Sequence, residues 1–284
     1  MTKEKSALLA ILASIFLVVL KLSVGIAANS VSIISDAMHS FMDVLASTMT
    51  FFAIRFAQKP PDKCHNFGHG KIEDLAAVIQ SILILMVSVT IIRQAYIRIV
   101  EQNYITDTTL GIVVMLVSIA IHGLVVWNML TVAKKENSIA LRANGLHLLT
   151  DIITSVGVVI GLVFIHFTGL KILDPIIAMV VALIIIKTGF SIGRDSLKSL
   201  LDSSLSEKDI QKVKDIIEKY SPPIMEYHKL RTRKMGGDKQ MDVHIVLPKD
   251  MNIKEAHDLS IDVQSEIEKS FRDAKVVIHL EPKE

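Results

Sequence analysis

Two patterns of apolar spacing divide this chain. Up to about residue 193 the apolar side chains come in long runs separated by short polar breaks, and beyond it they recur at short helical and strand intervals. A run of about 18 to 25 apolar residues is what a helix needs to cross a bilayer core. On that measure helices are predicted near residues 6–28, 31–57, 75–98, 108–132, 144–168 and 173–193. Gly25, Asn29 and Ser30 break the first pair, and "AQKPPDKCHNFGHGKIED", with two prolines and a Gly-rich turn, separates the second from the third. "EQNYITDT", "KKENSIALR" and "FTGLKILDP" make the other breaks. The opening segment also has the basic start, apolar core and small-residue "GIAANS" of a secretory signal. Its apolar run continues to about Ala28 and further spans follow at once, so it is read as a first membrane helix.

The last 80 or so residues follow a different rule. "SEKDIQKVKDIIEKY" has helical spacing, "IMEYHKLRTRK" and "KQMDVHIVLP" alternate like strands, and Gly236-Gly237 supplies a hairpin turn between them. "IKEAHDLSIDVQSEIEKSF" is amphipathic at period 3.6 and "AKVVIHLEP" reads as a closing strand. The expected architecture is an all-α six-helix transmembrane bundle over residues 1–203, followed by a cytoplasmic α+β domain, α-β-β-α-β, over 204–284.

Composition agrees with a membrane class: 51% apolar side chains and a mean hydropathy of +0.47 over 284 residues. A net charge of +2, with no basic stripe interleaved with aromatics, gives nucleic acid nothing to bind. The single cysteine, Cys64, excludes an intramolecular disulfide. Lys3 and Lys5, then Lys59, Lys63 and Lys71, then Lys134, Lys135 and Arg142, then Arg194 and Lys198 all fall on one side of a six-span bundle. The positive-inside rule makes that side cytoplasmic, with both termini inside. Arg93 and Arg98 run against the pattern, although Glu101 stands at helical spacing from Arg98. Arg55 and Lys187 lie near the cytoplasmic ends, where long basic side chains snorkel.

Against this apolar background, two segments share one polar pattern. "AMHSFMDVLAS" in the second span and "NGLHLLTDIITS" in the fifth both contain His-x-x-x-Asp-x-x-x-Ser. Residues four apart share a helix face, so His39 with Asp43 and His147 with Asp151 form two clips at mid-membrane depth. A charged side chain there costs about 2.5 to 3.5 kcal/mol on insertion scales and needs a partner. Two such helices face to face would surround one point with two imidazoles and two carboxylates, a donor set that suits tetrahedral Zn²⁺. Protons can neutralise the same groups, and a site that holds either metal or protons is an exchanger. A structural polar interface with no ion is the competing reading. Asp36 and its counterpart Asn144 are read as supporting or entrance residues, and His122 and His166, without carboxylates at helical spacing, as ordinary polar packing. An intramembrane zinc enzyme would need a general base as in His-Glu-x-x-His, and no such motif occurs, so the chain is read as a non-enzyme. A non-transporting membrane metal sensor is the remaining rival.

In combination these features resemble the cation diffusion facilitator family of divalent metal transporters, close to its prokaryotic zinc and ferrous-iron efflux branch. The resemblance covers nearly the whole chain and includes the two motifs, "HNFGHGKIE", "LDP" opening the sixth span, "LLDSSL" leaving the membrane and the metallochaperone-like tail. It implies a transport site at His39, Asp43, His147 and Asp151 and a loop site at Asp62, His65 and His69, where Cys64 departs from the family pattern. It further implies cytoplasmic sites at His228, His244, His257, His279 and Glu281, the last standing where relatives often have Asp. Those sites bridge subunits in relatives, which implies a homodimer, and Lys71 and Asp202 match a charge interlock between the two domains. The expected activity is proton-coupled export of Zn²⁺ across a prokaryotic inner or plasma membrane. Fe²⁺, Mn²⁺ or Cd²⁺ are alternative cargoes.

Overall fold

The computed structural model describes residues 2–27, 31–101, 109–168, 173–271 and 274–284. The side chains of residues 31–36, 38, 39, 98, 109–112, 158–168, 173, 174 and 177 lie outside that description. The chain forms two compact units, Met1–Leu197 and Lys198–Glu284.

In the first unit the apolar runs become six long helices: α1 (Lys3–Ala27), α2 (Val31–Ala57), α3 (Lys71–Glu101), α4 (Thr109–Lys135), α5 (Ile139–Thr168) and α6 (Leu173–Leu200). Among the described residues four stretches are long and apolar enough to cross a membrane, at Lys3–Ala27, Ser40–Ala57, Lys71–Glu101 and Val113–Lys135. Ala7 and Ala10 of α1, Ala53 and Ile54 of α2, Val125 and Met129 of α4, and Leu141 and Leu148 of α5 share one buried cluster. The outer faces stay apolar too: Phe16, Val19, Leu124, Trp127, Leu183 and Phe190 are all exposed, as hydrocarbon contact requires. Where α6 meets α3 there is no room for a side chain: a Cβ on Gly193 would lie 2.8 Å from Ser81 Oγ, and one on Gly189 would lie 3.0 Å from Ile84 Cγ2.

Several helices run past the apolar stretches that predict them. α3 begins at Lys71 instead of near 75, α4 continues to Lys135, α5 begins at Ile139 instead of near 144 and α6 continues to Leu200. Polar pairing holds the added turns of α3, α5 and α6. Glu73 is 1% exposed and accepts from Lys3 Nζ at 2.6 Å and from the Ser138 hydroxyl in a very short contact. Ser138 also accepts from the Leu141 backbone N–H at 3.3 Å, the bond of a helix cap. Ser6 Oγ donates to Asn128 Oδ1 at 2.7 Å, and Arg142 lies 4.0 Å from Asp195.

The second unit has the order α7 (Glu207–Glu218), β1 (Glu226–Met235), β2 (Asp238–Leu247), α8 (Ile253–Ser270) and β3 (Ala274–Pro282), the α-β-β-α-β arrangement expected from the sequence. Ser206 caps α7 by accepting from Asp209 N–H, and Asn252 caps α8 by accepting from Glu255 N–H. Gly236, at φ +61°, makes the turn into β2 with Gly237. The sheet order is β1-β2-β3, antiparallel between the first two and parallel between the last two, so α8 serves as the crossover that a parallel pair requires. Met241, Val243, Ile245 and Leu247 of β2 pack with Val213 and Ile217 of α7 and with Val263 and Ile267 of α8. The alternate residues of β2 and β3 therefore lie on the face turned away from the helices.

Tyr220, at the end of α7, donates its hydroxyl to Glu266 Oε2 at 2.8 Å. That bond, with burial behind it, pushes the phenol up from 10.0 to about 12. The unfolded chain then loses this proton first, so stability contributed below pH 10 should decline between 10 and about 12. Thermal melts of the full chain across that range should show the decline, and Tyr220→Phe should flatten it.

Candidate metal centre

Three of the four residues in the two membrane clips come together between α2 and α5. Asp43, His147 and Asp151 each offer a ligand atom within 4.8 Å of the others. They are 1%, 4% and 9% exposed. His147 and Asp151 share a face of α5 because they are four residues apart, while Asp43 arrives from α2. His147 Nε2 lies 3.4 Å from Asp43 Oδ1. Two donors each about 2.0–2.1 Å from a tetrahedral ion lie roughly 3.3–3.4 Å apart, so this pair already has the spacing of two metal ligands. His39 occupies the helix position one turn before Asp43 in α2, and its side chain is outside the described residues, as are those of Asp36 and His166.

One turn after Asp43 in α2 and one turn before His147 in α5, a polar layer crosses the bundle. Asn144 of α5 donates to Ser47 Oγ of α2 at 3.1 Å, and Gln80 of α3 donates to Asn144 Oδ1 at 3.0 Å. Gln80 Nε2 also lies 3.3 Å from both Ala46 O and Thr50 Oγ1. Gln80 and Asn144 are fully buried. On the opposite side of Asp43 and Asp151 is a cavity of about 70 Å³ lined by Lys21, Ser40, Ser118, His122, Thr154 and Ser155 together with the two aspartates. His122 is thus a wall of this cavity as well as a packed side chain.

The second group forms in the loop after α2. Asp62 Oδ1 accepts from the backbone N–H groups of Cys64 at 2.9 Å and His65 at 2.7 Å. The His65 bond is the main reason that the Asp62 carboxyl titrates below its ordinary range, with the Cys64 bond and both loop imidazoles adding to it against partial desolvation. Gly68, at φ +91°, lets the loop turn back so that His69 Nε2 reaches 3.3 Å from Asp62 Oδ2. His65 Nδ1 lies 3.5 Å from Asp62 Oδ1. These distances also suit one shared ion.

Strand register builds the third group. His228 of β1 pairs with His244 of β2, which pairs with His279 of β3, so three imidazoles form a row across the helix-free face. A bulge between His228 and Arg231, with Lys229 at φ +51°, lies directly beside the row. Glu281, two residues beyond His279 and on the same face, receives His244 Nδ1 at 2.6 Å and His228 Nε2 at 3.0 Å. The bond to His244 leads in holding the Glu281 carboxyl below its ordinary range, with Lys229 and His228 assisting. His228, His244 and Glu281 could share an ion, but their contacts are at hydrogen-bond spacing and would open slightly to admit one. His279 Nε2 stands 3.8 Å from Glu281, and its ring centre is 4.6 Å from that of His244. His257 is exposed on α8 and is not among the residues that the described structure gathers.

Residues 7–201 match the model of the cation efflux transmembrane domain, and residues 205–283 match that of the cation efflux protein cytoplasmic domain. The chain belongs to the cation efflux family, the cation diffusion facilitators. An uncharacterized transporter of Synechocystis is 32% identical over 278 residues, covering 98% of this chain and 90% of that one. The cation-efflux pump FieF of Shewanella oneidensis is 32% identical over 266 residues, with 94% and 89% covered. A solved chain of CzrB is 23% identical and covers 28% of this chain and 99% of its own, at a TM-score of 0.28. As a cation efflux protein the molecule is a membrane transporter of cations.

Within this cation efflux chain, Lys71 opens α3 in the first unit, while Asp202, at φ +55°, belongs to the second and accepts from Arg233 Nη1 at 3.3 Å. Lys21, Glu73 and Gln80 are absent from the sequence-based site. Lys21 had a legible signal, a lone cation late in an apolar run, which marks a functional position by default.

Proposed function

We propose that this cation diffusion facilitator exports Zn²⁺ from the cytoplasm in exchange for protons, using His39, Asp43, His147 and Asp151 as the transport site. The observation that carries the reading is the buried convergence of Asp43, His147 and Asp151 at ligand spacing. Nitrogen and carboxylate donors in a closed tetrahedral set favour Zn²⁺ over Mn²⁺, which prefers more oxygen. Binding needs neutral imidazoles and ionised carboxylates, so metal displaces protons and protons from the far side expel metal. Residues 1–203 form the transport domain and residues 204–284 the cytoplasmic domain, with both termini inside a prokaryotic plasma membrane. Two copies pair through the cytoplasmic domain, whose metal groups at His228, His244, His257, His279 and Glu281 stabilise the pair. The loop group of Asp62, His65 and His69 takes a further ion, and Lys71 with Asp202 positions the two domains.

Proteoliposomes carrying a zinc dye and a pH dye test this directly, with Zn²⁺, Cd²⁺, Fe²⁺ and Mn²⁺ offered in turn under a proton gradient. Zinc flux with opposed proton movement, lost in Asp151→Ala, is the expected result. Faster flux of Fe²⁺ would reassign the cargo, and binding without flux of any metal would replace the exporter by a sensor.

A further inference from the structure

Beyond its first turn, α1 carries a single charged side chain. Lys21 is 5% exposed, and its Nζ donates to Ser40 Oγ at 2.8 Å. Ser40 stands three residues before Asp43, on the same face of α2. Lys21 and Ser40 line the same cavity as Asp43 and Asp151, with His122 and Ser118 completing its wall from α4. An ammonium buried among apolar helices requires a counter-charge, and the two aspartates are the acidic side chains lining this cavity among the described residues.

We infer that Lys21 is the resident cation of the transport site, setting its metal affinity by charge without being a ligand. The inference rests on the proposed transport reading. Counting the described groups alone, with neutral imidazoles and two ionised aspartates, the site without Lys21 would carry −2 empty and 0 with a divalent ion. With Lys21 it carries −1 empty and +1 loaded. The ammonium thus lowers the cost of leaving the carboxylates empty in a low-dielectric interior, and it repels the bound ion. Affinity is given up in exchange for release. A weaker hold on the ion speeds its release to the far side, where protons take its place on the aspartates. The hydrogen bond to Ser40 holds the ammonium one turn from Asp43, close enough to act through the cavity without displacing the ion.

The test compares wild type with Lys21→Gln, Lys21→Met and Lys21→Arg in the full-length protein. Equilibrium binding of Zn²⁺ is measured on the component that Asp151→Asn removes, which separates the membrane site from the loop and tail. Turnover at saturating zinc is measured in proteoliposomes. Both neutral variants should bind Zn²⁺ about tenfold tighter or more, the effect of removing one unit charge at close range, and should turn over more slowly. Lys21→Arg keeps the charge and should stay within about threefold of wild type in affinity. Met preserves the stem length, so it carries the same test if the Gln variant folds poorly. Folded neutral variants that bind zinc with unchanged or weaker affinity would overturn the inference, because a lysine that only ties α1 to α2 would give that result. Zinc binding that Asp151→Asn leaves wholly intact would remove the transport site itself, a failure visible in the wild-type background before any Lys21 variant is examined.

Discussion

Asp43→Asn is expected to abolish metal transport and leave the protein at least as stable as the wild type. The two effects have one cause. Asp43 is 1% exposed, and its carboxylate sits 3.4 Å from His147 Nε2. Asparagine keeps the shape and removes the charge. In the absence of metal, the cavity beside this site is lined, among the described residues, by two carboxylates and one ammonium. With asparagine at this position, Lys21 and Asp151 balance, so folding no longer bears the cost of an extra buried anion. Function moves the other way. Loss of a residue that only supports a ligand costs about 10- to 100-fold in metal affinity or activity, and loss of a charged ligand itself should exceed that. Proteoliposome flux should fall by more than about 100-fold, while thermal melting without metal stays equal or rises. Retained flux would remove Asp43 from the transport site, and a large drop in melting temperature would mean that the carboxylate is structural.

Lys3→Met should destabilise the fold by about 3 kcal/mol, at the low end of the range for stripping one partner from a buried ion pair. Glu73 is almost wholly enclosed where α3 begins, and it is neutralised by Lys3 from α1 and hydrogen-bonded by Ser138 ahead of α5. Removing the ammonium leaves that carboxylate, among the described contacts, with a hydroxyl and no counter-ion. Lys3 is 20% exposed, so water softens the loss. The informative comparison adds Glu73→Gln. In a double-mutant cycle the second change should recover much of the stability, since the penalty belongs to the orphaned charge more than to the lost contact. Additive losses would show that Lys3 acts through packing alone.

How far the sequence reaches can be judged residue by residue. Apolar run length locates all six long helices, because crossing hydrocarbon is a demand on length and composition alone. It misplaces the ends at Lys71, Ile139 and Leu200, because those turns are held by partners distant in the chain, such as Lys3 for Glu73 and Arg142 for Asp195, and it also stops short of Lys135. Spacing of four puts His147 and Asp151 on one face, and the repeat of the pattern in the second span brings in Asp43. It cannot supply the layer of Gln80, Asn144 and Ser47, since a glutamine in α3 carries no signal of which helix it will face. The row of His228, His244 and His279 shows the same limit. Alternation places each histidine on a strand face, but only pairing register, shifted by the bulge beside Lys229, aligns them with Glu281.

Cys64 has a practical consequence. It is the only thiol in the chain and is exposed, with its backbone N–H bonded to the carboxylate that joins His65 and His69. A maleimide fluorophore therefore attaches at one defined position without any engineered cysteine, and a change in its emission on adding Zn²⁺ would report on the proposed loop site. The same accessibility is a hazard during purification. Under air, two molecules can oxidise into a covalent pair that a non-reducing gel displays as a dimer. Reductant in the buffer separates that artefact from any non-covalent association of the protein.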